Sequence, residues 1–539
     1  MDLVLRSGNV YGTPGATAVA VDQGVIVAVG SDDELKPLVT ARTEVMDLGG
    51  RLLLPGFQDA HAHPVFAGLN LLRCDLTELH DQAGYLRELA AYAAAHPDRA
   101  WLMGAGWSYD AFGGAQPDRA ALDGVVADRP VYLAVRDAHS AWCNSRALAL
   151  AGIDRHTPDP EGGRIERDAD GEPTGVLHES AMELVSSVAP RPDTAEIGRA
   201  LLVAQSRLHA LGVTAWQDAI LGDYGGWPDA FEAYRAADAA GLLTARVRGA
   251  LWWEPSRGLE QLAELRERRE AARTSGGANF RAETVKIMQD GVAENFTAAM
   301  IDPYLDGCGC ATERRGISRV DPAHLREIVS RLDADGFQVH FHAIGDRAVR
   351  EVLDAVEPVA GSPRRHHVAH VQVVHPADVP RFARHNLTVT LQALWAAHEP
   401  AMDEMTIPFL GPERASWQYP FRAVHAHGGR LAMGSDWPVS DPDPMRAIHV
   451  AVNRVAFGAD EPPLGPEQAL DLATALTAYT AGSAYVNHFD DSGRIAPGLR
   501  ADLTLLDRDP FITPPADLGA THTTHTWIAG RLIHPPPAP

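Results

Sequence analysis

The sequence predicts an α/β fold: a (β/α)8 TIM-type barrel with an insertion after its first strand, plus a small β-sandwich made from both chain termini. Eight short apolar strand candidates alternate with helical stretches through the middle of the chain, and eight parallel strands close such a barrel. Both ends read instead as runs of short β segments broken by Gly and Asp turns. At 539 residues, the chain is also too long for one ordinary compact domain without appended pieces.

The β segments at the start are LVLRSGNVYG, TAVAVDQGVIVAVG and TEVMDLGGRLLLP; those at the end are RIAPGLRADLTLLDRDP and HTTHTWIAGRLIH. Short strands cannot bury a face alone. Residues 1–55 and 488–539 are therefore expected to meet in one sandwich domain, leaving 56–487 as the barrel. The barrel strands are expected at 56–60, 213–218, 246–253, 284–290, 337–342, 367–372, 387–393 and 430–436. GRALLVAQSRLHALG and DPAHLREIVSRLDADG supply the helices before the second and fifth strands. Residues 70–200 form the insertion, with a helix (AGYLRELAAYAAAH), a strand (PVYLAVRDA) and a hairpin (GGRIERDADGEPTGVLHE). Loops after barrel strands lie at the catalytic face, so the insertion is expected over the active site.

A formal charge of −24 with scattered Arg residues argues against nucleic acid as a partner. Cys74, Cys143, Cys308 and Cys310 make no disulfide framework for a chain this size, and Cys308-Gly-Cys310 lacks the second pair of a structural metal site. MDLVLRSGNVYG is not a signal peptide, and no stretch reaches the ~20 apolar residues of a membrane span. The expectation is a cytoplasmic protein with a small-molecule substrate and no membrane partner, a homodimer being left open.

In a barrel, groups that bind or catalyse belong at the C-terminal ends of strands. LPGFQDAHAHP places His61 and His63 there, two apart and so directed the same way. Lys286 lies in the fourth strand candidate, His342 ends the fifth, His370 lies in the sixth and Asp436 ends the eighth. Four histidines, a carboxylate and a lysine from five strands suit one or two divalent transition metals, Zn2+ foremost. The lysine fits such a set once carboxylated on its amine, because N6-carboxylysine is an anionic oxygen ligand.

LPGFQDAHAHP, VKIMQDG, VHFHAIGDRAV, HHVAHVQ and LAMGSDWPV, in this order, resemble the metal motifs of the amidohydrolase superfamily. RDAHSAWCNSRALALAGI and RIERDADGEPTGVLHE are similar to segments of its YtcJ-like subgroup, which includes N-substituted formamide deformylases. The resemblance covers nearly the whole chain. It implies a metal-dependent hydrolase of non-peptide C–N bonds, with His61, His63, Lys286, His342, His370 and Asp436 as ligands and Asp436 also handling the proton. Two departures stand out: Val368-Ala369 before His370, where relatives often carry Ile-Glu, and GVAENFTAAM after Lys286. Deaminase, cyclic amidase, esterase or lactonase chemistry uses the same activated water, and a non-catalytic binding protein would have lost ligands.

Around the metal set, Trp107, Tyr109, Trp142, Trp395 and Trp437 are candidates to line an apolar substrate pocket, and His139 to touch substrate from the insertion. His366, His367, His375, His425 and His427 match no ligand position and are read as surface or supporting groups.

Overall fold

The computed structural model describes residues 1–113, 116–136, 140–160, 163–224 and 227–535. The chain forms two compact units, one of residues 1–63, 205–221 and 234–539, the other of 64–204 and 222–233.

The first unit holds the barrel. Its strands are Phe57–Ala62, Val213–Leu221, Arg246–Trp252, Phe280–Met288, Gln338–Ala343, His367–His370, Thr388–Leu391 and Leu431–Met433, in sequential order and all parallel. All eight expected strands are present. The fourth begins four residues before its expected start, because Phe280 and Ala282 are also buried. The first and last strands meet through the Asp436 N–H donating to His61 O at 2.7 Å and the His63 N–H donating to Trp437 O at 2.7 Å. The Asp59 carboxylate strengthens this seam by accepting the backbone N–H groups of His61 and Ser435. Gly434 is required there: a Cβ would stand 2.6 Å from both His61 Cβ and His61 N.

The helices follow from local sequence. In Pro322–Ala334 the Asp321 carboxylate accepts the Ala323 and His324 N–H groups, and Pro322 takes the first turn where its missing N–H costs nothing. Leu325, Ile328, Val329 and Leu332 then bury one stripe of that helix. The following strand, Gln338–Ala343, is buried on both faces. Val339 and Phe341 therefore point one way and Gln338, His340 and His342 the other, by the two-residue period of a strand.

Two further sheets belong to this unit. One runs Val25–Gly30, Ala18–Asp22, Leu3–Arg6, Glu44–Asp47; the other runs Asn9–Val10, Leu52–Pro55, Leu503–Leu506, Thr523–Ile528, Arg531–His534. The second draws on both ends of the chain, and Leu5, Val19, Ile26, Leu53, Leu503, Leu505 and Trp527 fill a common core. Gly56 joins Leu52–Pro55 to the first barrel strand; a Cβ at that position would lie 2.4 Å from the Thr214 side chain.

The second unit falls between the first and second barrel strands in the chain, with a short return at 222–233. Its six strands run Gly163–Arg167, Pro173–Glu179, Ser140–Cys143, Val131–Val135, Leu102–Trp107, Cys74–Asp75. Helix Gln82–Ala95 contributes Tyr85 and Leu89 to its core. Among the described residues no helix is long and apolar enough to cross a membrane.

Candidate metal centre

The sequence-predicted ligands lie at or just beyond the C-terminal ends of the barrel strands. His61, His63 and Asp436 form the tightest group, with ligand atoms all within 4.8 Å of one another. Asp436 Oδ1 is 3.1 Å from His61 Nε2 and 3.1 Å from His63 Nε2, and Oδ2 is 3.9 Å from His370 Nδ1. The His370 ring packs against His61 and His342, at centroid separations of 4.9 and 4.4 Å. His342 Nε2 lies 3.1 Å from Gly291 O, which takes its N–H and leaves Nδ1 with the lone pair. Lys286 is 1% exposed, and its charge is felt at His61, His342 and Asp436.

Two of these residues sit in the left-handed region that non-glycine residues rarely adopt, His370 at φ 77° and Asp436 at φ 58°. Surrounding structure holds them there. The Gln392 side chain accepts the His370 N–H at 2.6 Å and donates to Gly434 O, tying the sixth strand to the eighth. Such strain persists where the neighbourhood over-determines it, commonly at functional sites.

Burial pushes His61 and His342 down to about 3 and holds His370 well below the ordinary imidazole value. Burial alone would raise the Asp436 carboxyl, but the facing His61 and His63 outweigh it and hold the group well below the carboxylate range. Lys286 is lowered to about 7, again by burial, with Asp436 opposing. His370 Nδ1 is buried and has no hydrogen-bond partner among the described residues. Imidazoles that burial disfavours as cations, a carboxylate held below its usual range and a buried ring nitrogen without a partner among the described residues fit a divalent cation.

Sequence reasoning missed two supporting residues. His340 Nε2 is 2.9 Å from His61 Nδ1, and Gln392 props His370. His340 sits two residues before His342 in VHFHAIGD, so strand alternation was a usable signal for its direction but not for its partner. Below it, His367 is buried and bonded to Thr390 Oγ1 and Gln217 Oε1, inside the barrel rather than at its surface.

The predicted aromatic residues are distributed differently. Trp395 stacks on the His370 ring at 5.1 Å with 6° between the planes, and Trp437 adjoins Asp436 and is 8% exposed. Trp107 and Trp142 are fully buried in the second unit, their indole N–H groups donating to Leu133 O and Asp118 O. Tyr109 packs on Trp107 and is 37% exposed. His139 lies outside the described residues.

YtcJ of Bacillus subtilis (strain 168), an amidohydrolase by name, is 32% identical over 524 residues, 96% of each chain. An N-substituted formamide deformylase from Arthrobacter pascens is 28% identical over 550 residues, 98% of each chain. A crystal structure of an uncharacterised metal-dependent hydrolase from Pyrococcus furiosus superposes with a TM-score of 0.73 at 25% identity, covering 94% of this chain and 99% of that one. The model of the family described as "Amidohydrolase family" matches residues 44–534, a span that holds the whole ligand set, and the chain belongs to that family.

Proposed function

We propose that the chain hydrolyses an amide, N-acyl or N-formyl C–N bond of a small molecule, with Asp436 as the group that moves the proton. The observation carrying this reading is the Asp436 carboxylate set 3.1 Å from both the His61 and the His63 imidazole at the barrel's C-terminal end. Its support among relatives is the full-length similarity to a protein named as an N-substituted formamide deformylase.

His61, His63, Lys286, His342, His370 and Asp436 would hold one or two divalent ions, Zn2+ by their nitrogen-rich donor set. A bound ion of this kind supplies an acidified water and a polarised carbonyl. Asp436 Oδ1 faces His61 and His63, whereas Oδ2 lies 3.9 Å from His370 Nδ1. In this reading Oδ2 is the atom that accepts the water's proton and returns it to the leaving nitrogen, as base and then acid. Lys286 near 7 has a large neutral fraction at neutral pH, and the neutral amine is the form that adds CO2 to become N6-carboxylysine. Trp395, stacked on His370, and Trp437, whose carbonyl accepts the His63 N–H, are the substrate contacts of this reading.

All four cysteines are free, as expected of a reducing compartment, and this supports a cytoplasmic placement. The reading is tested by quantifying metal in the purified protein and assaying N-formyl, N-acetyl, cyclic amide and ester substrates. Carboxylate plus organic amine is the expected outcome. Ammonia release, or ester cleavage alone, would replace it with another reaction.

A further inference from the structure

The barrel interior beneath the metal centre holds two buried histidines with different surroundings. His367 is fully accounted for, and its protons can be placed from the backbone upward. Gln338 Nε2 donates to Arg365 O and Val486 O, so Gln338 Oε1 accepts from Thr284 Oγ1 and Gln217 Nε2. Gln217 Oε1 then accepts from His367 Nε2–H, and His367 Nδ1 accepts from Thr390 Oγ1. Every polar atom of that ring is used within the barrel's own layer.

His340 is the opposite case. It is 0% exposed, its ring rests on His367 with centroids 4.0 Å apart, and its Nδ1 has no hydrogen-bond partner among the described residues. The ring's one hydrogen bond runs from Nε2 to His61 Nδ1, at 2.9 Å. A buried polar ring with a single bond is poorly suited to simple filling, since an apolar ring of that size would avoid the unmet polar atom. That single bond ends on a candidate metal ligand, at the nitrogen facing away from Asp436.

We propose that His340 is a positioning residue: it accepts the His61 Nδ1–H, and so commits His61 to presenting the Nε2 lone pair beside His63 Nε2 and Asp436. This rests on the metal reading above. A ligand imidazole left without such a partner is free to rotate and to carry its proton on the wrong nitrogen. His367, packed against the His340 ring at 4.0 Å with 38° between the planes, limits how His340 can turn, and the hydrogen-bonded Gln217 and Thr390 fix His367, so the orientation of His61 is inherited from the barrel floor.

The test compares wild type, H340F and H340Q. Zinc affinity is measured by competition with a chromophoric chelator, alongside the visible spectrum of the cobalt-loaded protein and the Tm of the metal-free protein. H340F keeps a ring over His367 without an acceptor, and zinc affinity should fall by about 10- to 100-fold, the usual effect of losing an outer-sphere partner. H340Q places an amide oxygen near the former Nε2 position and should restore both affinity and cobalt spectrum. H340M, apolar and unbranched, replaces H340F if the phenyl ring prevents folding. Wild-type affinity and spectrum in H340F or H340M would overturn the proposal and leave the metal reading intact. So would H340Q as weak as H340F, which would assign the effect to packing. A wild-type protein that binds no stoichiometric metal would instead overturn the metal reading, and this inference with it.

Discussion

Asp436→Asn separates the charge and basicity of the carboxylate from its shape. Residue 436 has φ 58°, a conformation that Asn tolerates about as readily as Asp, so the backbone at the seam is preserved. The amide keeps one oxygen that can remain near the His61 and His63 Nε2 atoms, each 3.1 Å from Oδ1 in the native protein. What disappears is the negative charge and the atom that accepts a proton. A positioned acid–base group contributes roughly a hundred- to ten-thousand-fold. At about 1.36 kcal/mol per tenfold, that is ~2.7–5.4 kcal/mol on the barrier. The assay is kcat at saturating substrate with metal per chain measured in the same sample, because the carboxylate is also a candidate ligand. A variant that is metal-replete, folds with a near-native Tm and keeps kcat within about tenfold of wild type would refute the role.

Three more perturbations follow from the geometry. Gly434→Ala forces a Cβ to 2.6 Å from the His61 backbone and Cβ; overpacking of about 1–3 kcal/mol or more should lower the Tm and weaken metal binding together, and an unchanged pair of values would show the seam to be soft. His61, His340, His342, His367 and His370 all have folded values below 6.5, set first by burial. Each of these rings therefore binds fewer protons in the folded than in the unfolded chain below pH 6.5, and together they make stability fall as pH drops from 6.5 toward 3, opposed by the buried Asp59 and Asp290, which burial raises to about 7; a metal-free Tm that rises as pH drops across that window would contradict the burial of these rings. Isotopically labelled bicarbonate should give a carbamate carbon signal by NMR that Lys286→Arg abolishes, whereas a signal surviving in the variant would remove the modification from Lys286.

Much of the candidate site was legible because its physics is local. His61 and His63 follow an apolar strand at the two-residue spacing that aims both side chains one way, and Lys286, His342, His370 and Asp436 stand at or near the ends of apolar runs of strand length. The two tryptophans of the second unit were harder to place. Trp107 and Trp142 look the same in sequence whether they face a pocket or a core, and their hydrogen bonds to Leu133 O and Asp118 O depend on strands that meet only in the folded sheet. His370 and Gln392 share the difficulty: nothing local foretells a left-handed histidine whose N–H is taken by a glutamine 22 residues later.

By itself, the sequence determined the strands, the order of the barrel and the residue types available as ligands. Periodicity, capping and turn chemistry act over a few neighbouring residues and can be read from them. Only the tertiary structure decided which atoms meet. Asp436 reaches His61 because a seam joins the last strand to the first, across 375 residues of chain. His340 reaches His61 across a barrel interior 279 residues long in sequence. Distances of that kind are set by barrel closure and packing, which no local pattern encodes.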